Sequence, residues 1–545
     1  MKSSRRGIIV LFCVLALSAI LGGMYGPPGR ASAASVNDAQ DSLRSFTRVL
    51  SIVQRNYADP VDSEKAIYDG AIPGMLRVLD PHSNFFDPKQ YALLREEQHG
   101  KYYGVGMTVG PRENHTVVLS PFVNSPAYKA GIRPGDIISK VNGKICDGLT
   151  TLEVADMLKG PKGTDVHIAL VRQGWDSPIE VTVTRDEIPR PGVDYYSMIR
   201  PGIGYVRASS FNETTSDDLH EALQHLDFAH LDGLILDLRG NPGGLLNEAV
   251  GVADAFLDKN QLVVSHHGRA SPERRYYAVN GNRSVIVPLV VLINGQSASA
   301  SEIVAGAVQD HDRGLIVGET SFGKGLVQSQ VILPEDTAML LTTARYYTPS
   351  GRLVQRDYKN VSLYDYLYNH NSPKPTEVKL TDGGRQVFGG GGITPDVVVP
   401  APKINAFQET LYRHMVFFPY EVYMPFNQMG VGDFTRSFLA SKPDVPRDFA
   451  VNDAVIADFR HYLETSGIKF TDADIQDNLA WIKMKIHREV VTSVYGQNDG
   501  YRVELQDDPQ LLKAIEEIPQ AKALYDNARK ILAEHQASTA PANPQ

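Results

Sequence analysis

The residues best suited to covalent chemistry lie in two short strings, Gly295-Gln-Ser-Ala-Ser-Ala-Ser-Glu302 and Gly318-Glu-Thr-Ser-Phe-Gly-Lys-Gly325. The first follows an apolar run, 285–293, that reads as a buried strand, and leads into 301–308, which reads as a helix. A serine such as Ser299 at a strand-to-helix turn exposes its hydroxyl beside the amides of a helix N-terminus, as an acyl-transfer nucleophile requires. The second string follows another apolar strand, 315–318, and holds Lys324 between Gly323 and Gly325. Glycines there let the backbone turn tightly, so that a long side chain reaches across a site. Together the two strings suggest a serine/lysine pair for hydrolysis.

A lysine acts as a base only when neutral. With an unperturbed pKa of about 10.4, roughly one lysine in a thousand is neutral at pH 7.4. Bringing that pKa near the working pH costs on the order of 4 kcal/mol of folding energy, and burial away from any carboxylate achieves it. Plainer readings compete. Ser299 alone reads as a helix N-cap, with Ser297 a turn residue and Ser301 a cap, and a lone loop lysine is usually solvated. Residues 318–324 follow most of a phosphate-loop pattern, but Gly325 stands where a Ser or Thr must hold magnesium, and Glu319 would repel phosphate. His311 follows Ser299 by about three helical turns and reads as a helix-end histidine rather than a triad base. Asp237, at a strand end beside Arg239, reads as an ion pair. No His/Cys/Glu set has metal-ligand spacing, so no cofactor is expected.

These strings need elements to position them. Residues 38–97 read as helical, with Phe46, Leu50 and Val53 on one face and Ala66, Ala71 and Met75 more loosely so, until Asp80-Pro-His-Ser-Asn84 breaks the pattern. From 98 to 187 the texture is short strands and tight turns. A one-turn helix runs from Ser125 to Gly131, Arg133-Pro-Gly-Asp136 is a turn, and Val141-Asn-Gly143 signals a hairpin. A helix is expected over 151–158, followed by a half-buried strand in which Val166, Ile168 and Leu170 alternate. From 188 to 402 strands near 204–207, 234–238 and 285–293 alternate with helices near 217–226, 246–256 and 301–308, which argues for α/β layers. Gly389-Gly-Gly-Gly392 marks a flexible loop. Beyond 402 the chain turns helical and charged. Ile475, Leu479, Ile482, Ile486, Val490 and Val494 form a stripe, with Thr471 and Asp474 placed for an N-cap and first-turn charge. Such a stripe points first to a neighbouring helix and second to self-association. Residues 536–545, rich in Ala, Pro, Asn and Gln, are expected to be disordered.

The length suggests about three or four domains. A formal net charge of −9 gives no sign of a nucleic-acid surface. Lys2, Arg5 and Arg6 precede an apolar run over 7–25, with Ala31-Ser-Ala33 as a cleavage site. Residues 1–33 are therefore expected to be a signal peptide or a membrane anchor, and the rest to be periplasmic or otherwise extracytoplasmic. Cys13 lies in that leader, so Cys146 is alone in the exported part and stability rests on packing rather than a disulfide.

Three long motifs then point one way. Asp237-Leu-Arg-Gly-Asn-Pro-Gly-Gly244, Ser297-Ala-Ser-Ala-Ser-Glu-Ile303 and Phe322-Gly-Lys-Gly-Leu-Val-Gln328 resemble those of the carboxy-terminal processing peptidases, the tail-specific proteases of peptidase family S41. Tyr346-Tyr-Thr-Pro-Ser-Gly-Arg352 and Gly392-Ile-Thr-Pro-Asp396 look like that family too, and 102–143 resembles its embedded PDZ domain. The resemblance implies a multidomain α+β protein. Its parts would be a helical region over 38–97, a PDZ domain over 98–187, an α/β S41 core of ClpP/crotonase type over 188–402, and a helical region over 403–535. It implies a serine endopeptidase acting on unfolded or tail-exposing exported proteins. Carried over residue by residue, it makes Ser299 the nucleophile, Lys324 the general base and Gln328 the residue that orients the lysine. The oxyanion amides would be those of Ala300 and, of the Gly243-Gly244 pair, Gly244. Self-association through the helical regions and an activating adaptor are compatible with it. The alternative from another class is a non-catalytic PDZ tail-binding scaffold, against which the intact Ser, Lys and Gln set argues.

Physics supports a glutamine at 328. Its amide oxygen accepts a hydrogen bond from the amine without adding a negative charge, whereas a Glu would favour the ammonium form. In the PDZ segment, successive amides around Gly104, Val105 and Gly106 can form a nest for a terminal carboxylate. The strand beginning at Met107 can take an incoming peptide by strand addition. Walls from Met107 and the 151–158 helix would favour small or apolar terminal residues.

Overall fold

The computed structural model describes residues 33–112, 114–227, 230–281, 287–368, 377–417, 431–442 and 444–539. The expected leader, apart from Ala33, lies outside them, as does the chain after Thr539. The described residues fall into two units, one ending at Val78 and one beginning at Leu79. The first holds the helix Ala33–Asn56 and a shorter helical run from Ser63 to Arg77.

In the second unit, Lys101–Gly104 pairs antiparallel with Asp186–Pro189 and draws together the two ends of the PDZ-like module. Its sheet runs in the order Met107–Arg112, His115–Pro121, Ile137–Val141, Asp165–Val171, Ile179–Thr184, with Lys144–Ile145 beside the third strand. Local chemistry explains its turns. Asn142 and Gly143, with φ of 50° and 79°, form the left-handed pair that a two-residue hairpin turn favours. Thr150 and Glu153 cap the Thr151–Leu158 helix reciprocally. Val166, Ile168 and Leu170 bury against Val118, Val154 and the free Cys146.

The core sheet has Ile203–Ala208, Gly233–Asp237, Leu289–Ile293, Leu315–Gly318 and Val397–Val398 in parallel order, with Val193–Arg200 antiparallel at one edge. Every residue of Gly233–Asp237 and Leu289–Ile293 is buried, as strands covered on both faces must be. Leu234, Leu236, Leu289 and Val291 cluster with residues of the helices Thr215–His225, Leu246–Asp254 and Ala300–Asp310. Ile235, Val290 and Leu292 cluster instead with Tyr501, Leu505, Leu511 and Ile518. The second face of the sheet is thus covered by the helices Gln497–Leu505, Pro509–Glu516 and Ile518–Thr539, which the sequence reading placed in a separate helical region.

A second sheet is built on the long strand Ala338–Tyr347. Leu326–Ile332 pairs along one side; Asn84–Phe86 and Leu262–His267 share the other. That pairing sets Asn84, and the Asp80–Ser83 turn before it, on the same strand that pairs with Leu326–Ile332, the strand after Lys324.

The helical stripe meets the first of its two expected readings, and two other expectations change. The stripe Ile475, Ile482, Ile486, Val490 is 0 % exposed and clusters with Phe417, Phe434 and Phe459, so it is spent inside the helical region and not left for a second copy. The Gly389–392 stretch is pinned, with the Gly390 and Gly392 amides donating to Leu353 (2.7 Å) and Val354 (2.9 Å) carbonyls. The last helix runs to Thr539, four residues into the segment expected to be disordered.

Candidate active site

Ser299 is the residue before the Ala300–Asp310 helix and has φ 53° and ψ −110°. A positive φ at a non-glycine residue is strained, and such strain persists only where the surroundings hold it. Here they do. Gly243, at φ 100°, lies so close that a Cβ on it would sit 2.8 Å from the Ser299 Cβ and 2.9 Å from the Ala300 nitrogen. The neighbouring serines have other tasks. Ser297 Oγ donates to the Leu238 carbonyl (2.8 Å) and Ser301 Oγ to the Asn241 carbonyl (2.9 Å), so Ser301 ties two loops together rather than capping the helix.

The loop carrying Lys324 is joined to Ser299 through Glu302, a fully buried carboxylate. Its Oε1 accepts from Ser321 Oγ (2.5 Å) and the Gly323 amide (2.7 Å). Its Oε2 accepts from the amides of Ser299 (2.8 Å) and Lys324 (2.9 Å). One oxygen therefore holds the backbone of both candidate residues. Tyr346 adds a second tie, its hydroxyl lying 3.1 Å from the Ser299 carbonyl and 2.5 Å from that of Lys324. Burial pushes the Glu302 carboxyl above the usual range, and the converging donors act against that shift.

Lys324 Nζ donates to Gln328 Oε1 at 2.8 Å. Burial lowers its pKa, while the charges of Glu302 and Asp80 oppose the shift without reversing it. A carboxylate is thus nearer than the sequence reading required, and desolvation still prevails. Gln328 Nε2 in turn donates to the His82 carbonyl. The His82 ring is held neutral, its pKa lowered to about 4 by burial and then by the Lys324 charge, and its Nε2 lies 2.8 Å from the Tyr366 hydroxyl.

The glycine pair divides its work. The Gly243 amide is spent on Asn241 Oδ1 (2.8 Å). Among the described residues neither the Gly244 nor the Ala300 amide has an acceptor. Gly244, at φ 147°, is locked against Phe211, whose carbonyl a Cβ would meet at 2.1 Å.

In the PDZ-like module Gly104 ends a strand opposite Asp186, leaving Val105 and Gly106 as the loop. The carbonyls of Val105 and Gly106 accept from Ala127 (2.8 Å) and Phe122 (3.0 Å) amides, and Gly106 has φ 78° with Ser125 packed against it. Met107–Arg112 is the edge strand of its sheet, open on the side away from His115–Pro121. The Met107 side chain is 8 % exposed and belongs to the module's core, so what it offers a groove is mainly backbone.

His311 and Asp237 lie outside this cluster. Asp237 pairs with Arg239 (2.6 Å) and accepts from the Tyr205 hydroxyl (2.7 Å). His311 Nδ1 meets Asp382 Oδ2 at 2.7 Å and its Nε2 meets the Leu262 carbonyl at 2.8 Å. Both partners accept, so this geometry favours the doubly protonated ring. Burial disfavours that charge, but Asp382 and the Leu262 carbonyl outweigh it and raise the pKa above 6.5. A raised histidine pKa contributes stability that is complete below about 6.5 and lost as pH rises through the folded value. Melting temperatures of wild type and His311→Gln, measured from pH 5 to 9, are expected to differ most at the acid end and to converge at the alkaline end. A constant gap would place the bond's value elsewhere than in the proton.

The sequence reading missed Glu302, Tyr346 and the Asp80–Ser83 turn. Glu302 had a signal, since Ser299 and Glu302 have capping-box spacing. The others lie in segments the sequence singled out, the Asp80–Asn84 break and the Tyr346–Arg352 motif, but no spacing relates either segment to Ser299 or Lys324.

Comparison with known proteins identifies the family of the chain. Models of peptidase family S41, of a PDZ domain and of a probable PDZ-protease C-terminal helical domain match residues 202–360, 117–172 and 469–518. A carboxy-terminal-processing protease of Bartonella bacilliformis is 38% identical over 391 residues, 70% of this chain and 82% of that one. The carboxy-terminal processing protease CtpA of Bacillus subtilis is 33% identical over 64% of this chain and 74% of its own length. Among solved structures, the photosystem II D1 C-terminal processing protease is 32% identical, covers 64% of this chain and 85% of its own, and superimposes with a TM-score of 0.35.

Proposed function

The chain belongs to the carboxy-terminal processing proteases, serine peptidases of family S41 with a PDZ domain, and we propose that it cleaves exported proteins with a Ser299/Lys324 dyad after its PDZ domain captures their C-terminal tails. The observation that carries the dyad is the Lys324 amine, buried, lowered in pKa and hydrogen-bonded to a neutral acceptor, on the same carboxylate anchor as Ser299. In the reaction, Lys324 Nζ takes the proton of Ser299 Oγ as that oxygen attacks the scissile carbonyl carbon. The Ala300 and Gly244 amides donate to the oxyanion that forms. The ammonium then returns the proton to the leaving amine. Water, activated by the same lysine, releases the acyl group from Ser299. Gln328 keeps the amine aimed throughout.

Tail capture would use the Val105–Gly106 amides for the terminal carboxylate and the open edge of Met107–Arg112 for the preceding residues. The basic and then apolar leader supports an extracytoplasmic place of action.

The test uses an unfolded reporter protein with an apolar C-terminus, prepared with a free carboxylate and as the C-terminal amide. The free-carboxylate form is expected to be degraded at least about tenfold more efficiently, a loss of roughly one charged contact on the amide. Ser299→Ala should degrade neither form while binding the free tail as wild type does. Equal turnover of both forms would remove the carboxylate from recognition, and an active Ser299→Ala would remove the dyad.

A further inference from the structure

An amide side chain has two unlike ends, and only one of them helps a lysine base. With Gln328 Oε1 toward Lys324, the oxygen accepts an amine proton and leaves the nitrogen lone pair for the proton of Ser299. Turned over, the NH2 group would donate into that lone pair and occupy it. Something must hold the amide in the useful sense. The group on its far side is the His82 carbonyl, which can only accept, and Gln328 Nε2 donates to it.

That carbonyl is itself held. Asp80 is 6 % exposed, and its Oδ1 accepts from the amides of both His82 and Ser83 at 2.8 Å. Its Oδ2 accepts from Ser83 Oγ at 2.8 Å. This is an Asx turn closed by its own side chain, which sets the peptide planes of the residues it spans. Ser83 Oγ takes a further hydrogen bond from the Thr342 amide (3.1 Å), and Asn84–Phe86 pairs in register with Ala338, Met339 and Leu340. The turn is therefore fastened to Ala338–Tyr347, the strand that also pairs with the Gln328 strand. Both ends of the His82–Gln328 hydrogen bond rest on one strand.

We infer that the Asp80-Pro-His-Ser83 turn is a positioning element for the base: by presenting the His82 carbonyl it fixes which end of the Gln328 amide meets Lys324. The inference rests on the Ser299/Lys324/Gln328 reading and extends it to a residue more than two hundred positions away in sequence. Asp80 touches neither substrate nor reacting atoms; it acts through His82 and Gln328. Its own negative charge works against a neutral lysine. Its presence there is explained by the three donors it gathers.

A double-mutant cycle in the full-length protein tests this. Gln328→Ala is expected to lower kcat on the order of 10²-fold, the cost of a misaimed base. Asp80→Ala should lower kcat by roughly 10- to 100-fold with KM for the tail unchanged. Asp80→Ala added to Gln328→Ala should cost less than about threefold more, because the turn has nothing left to aim. Asp80→Asn, which keeps an acceptor for the two amides, should restore kcat to within about threefold of wild type. Losses that multiply in the double mutant overturn the inference, as does an Asp80→Ala enzyme with wild-type kcat. Should Asp80→Ala fail to fold, Ser83→Ala, which cuts the turn's tie to the Thr342 amide and one of the three donors to Asp80, carries the same cycle with a smaller expected loss in kcat. If Gln328→Ala itself keeps wild-type kcat, the reading of Gln328 is at fault and the turn's role falls with it.

Discussion

Replacing Lys324 by alanine is expected to lower kcat on the order of 10³- to 10⁴-fold while raising the melting temperature. The two effects share a cause. The amine is buried and held below its ordinary pKa by desolvation, so the folded protein disfavours the ammonium form that the unfolded chain adopts freely. Between the folded and unfolded pKa values the unfolded state holds more protons, and wild-type stability climbs with pH across that window toward about 10.4. Lys324→Ala, or the better-packing Lys324→Met, abolishes the slope and is the more stable protein at neutral pH. Catalysis moves the other way, because no neighbouring group replaces the base. His82 is turned toward Tyr366 and the Glu302 oxygens are filled by donors. In wild type, kcat/KM should rise with pH along a limb set by the lowered lysine pKa, below 10.5. Lys324→Arg should be as inactive as alanine, since a guanidinium keeps its proton, and less stable than wild type because its charge is buried. Steady-state kinetics and melting curves from pH 6 to 10 check all of this. A Lys324→Ala enzyme that keeps a tenth of wild-type kcat, with contaminants excluded by the Ser299→Ala control, would end the dyad reading.

The second large effect falls on a residue that touches no substrate. Glu302→Gln changes one atom and is expected to cost about 3 kcal/mol of stability and at least about 10²-fold in kcat. Each Glu302 oxygen has at least two donors aimed at it: Ser321 Oγ and the Gly323 amide at one, the Ser299 and Lys324 amides at the other. An amide offers one accepting end. Whichever way the glutamine turns, an NH2 group faces two N–H or O–H donors around a fully buried side chain, and each unmet donor costs roughly 1–3 kcal/mol. The nearest relief is a shift of the Ser299 backbone or of the Lys324 loop, and either movement misplaces a reacting atom. The activity that remains should show its acid limb at lower pH than in wild type, because the Glu302 charge raises the lysine pKa and glutamine removes it. Melting temperature, kcat and labelling by a serine-reactive phosphonate measure the three consequences. A Glu302→Gln protein with wild-type values of all three would mean that the shared oxygen is not what holds the two residues together.

Much of the site was legible in the chain because its signals are local. Ser299 and Lys324 stand in strings whose glycines have a backbone reason to be there. Gly318, at φ 124°, lies against the Ile293 carbonyl, and Gly323, at φ 89°, is packed against Arg356. Asn142-Gly143 and the Thr150/Glu153 cap specify a turn and a helix start from side-chain chemistry that needs no distant partner. The apolar runs at 234–238 and 285–293 announce strands, and the structure buries every residue of Gly233–Asp237 and Leu289–Ile293.

What the tertiary structure decided is which partner each such signal meets. Full burial of those strands requires two covers, and periodicity cannot say that one of them comes from Tyr501, Leu511 and Ile518, more than two hundred residues later. The 475–490 stripe had to be buried, yet only the packing of Phe417, Phe434 and Phe459 shows that its cover lies within the same chain. Glu302 reads from sequence as an ordinary acidic residue in a first helical turn. It becomes the anchor of two loops only when Lys324 and Gly323 fold back onto it. Gln328 came from the family resemblance with its neutral oxygen in support, but the sense of its amide depends on a carbonyl at His82 that no spacing relates to it. Local conformational preference acts within a few residues and is written in the chain. The hydrogen bonds that aim a base are made between segments brought together by the collapse of the whole core, so their partners appear only in the fold.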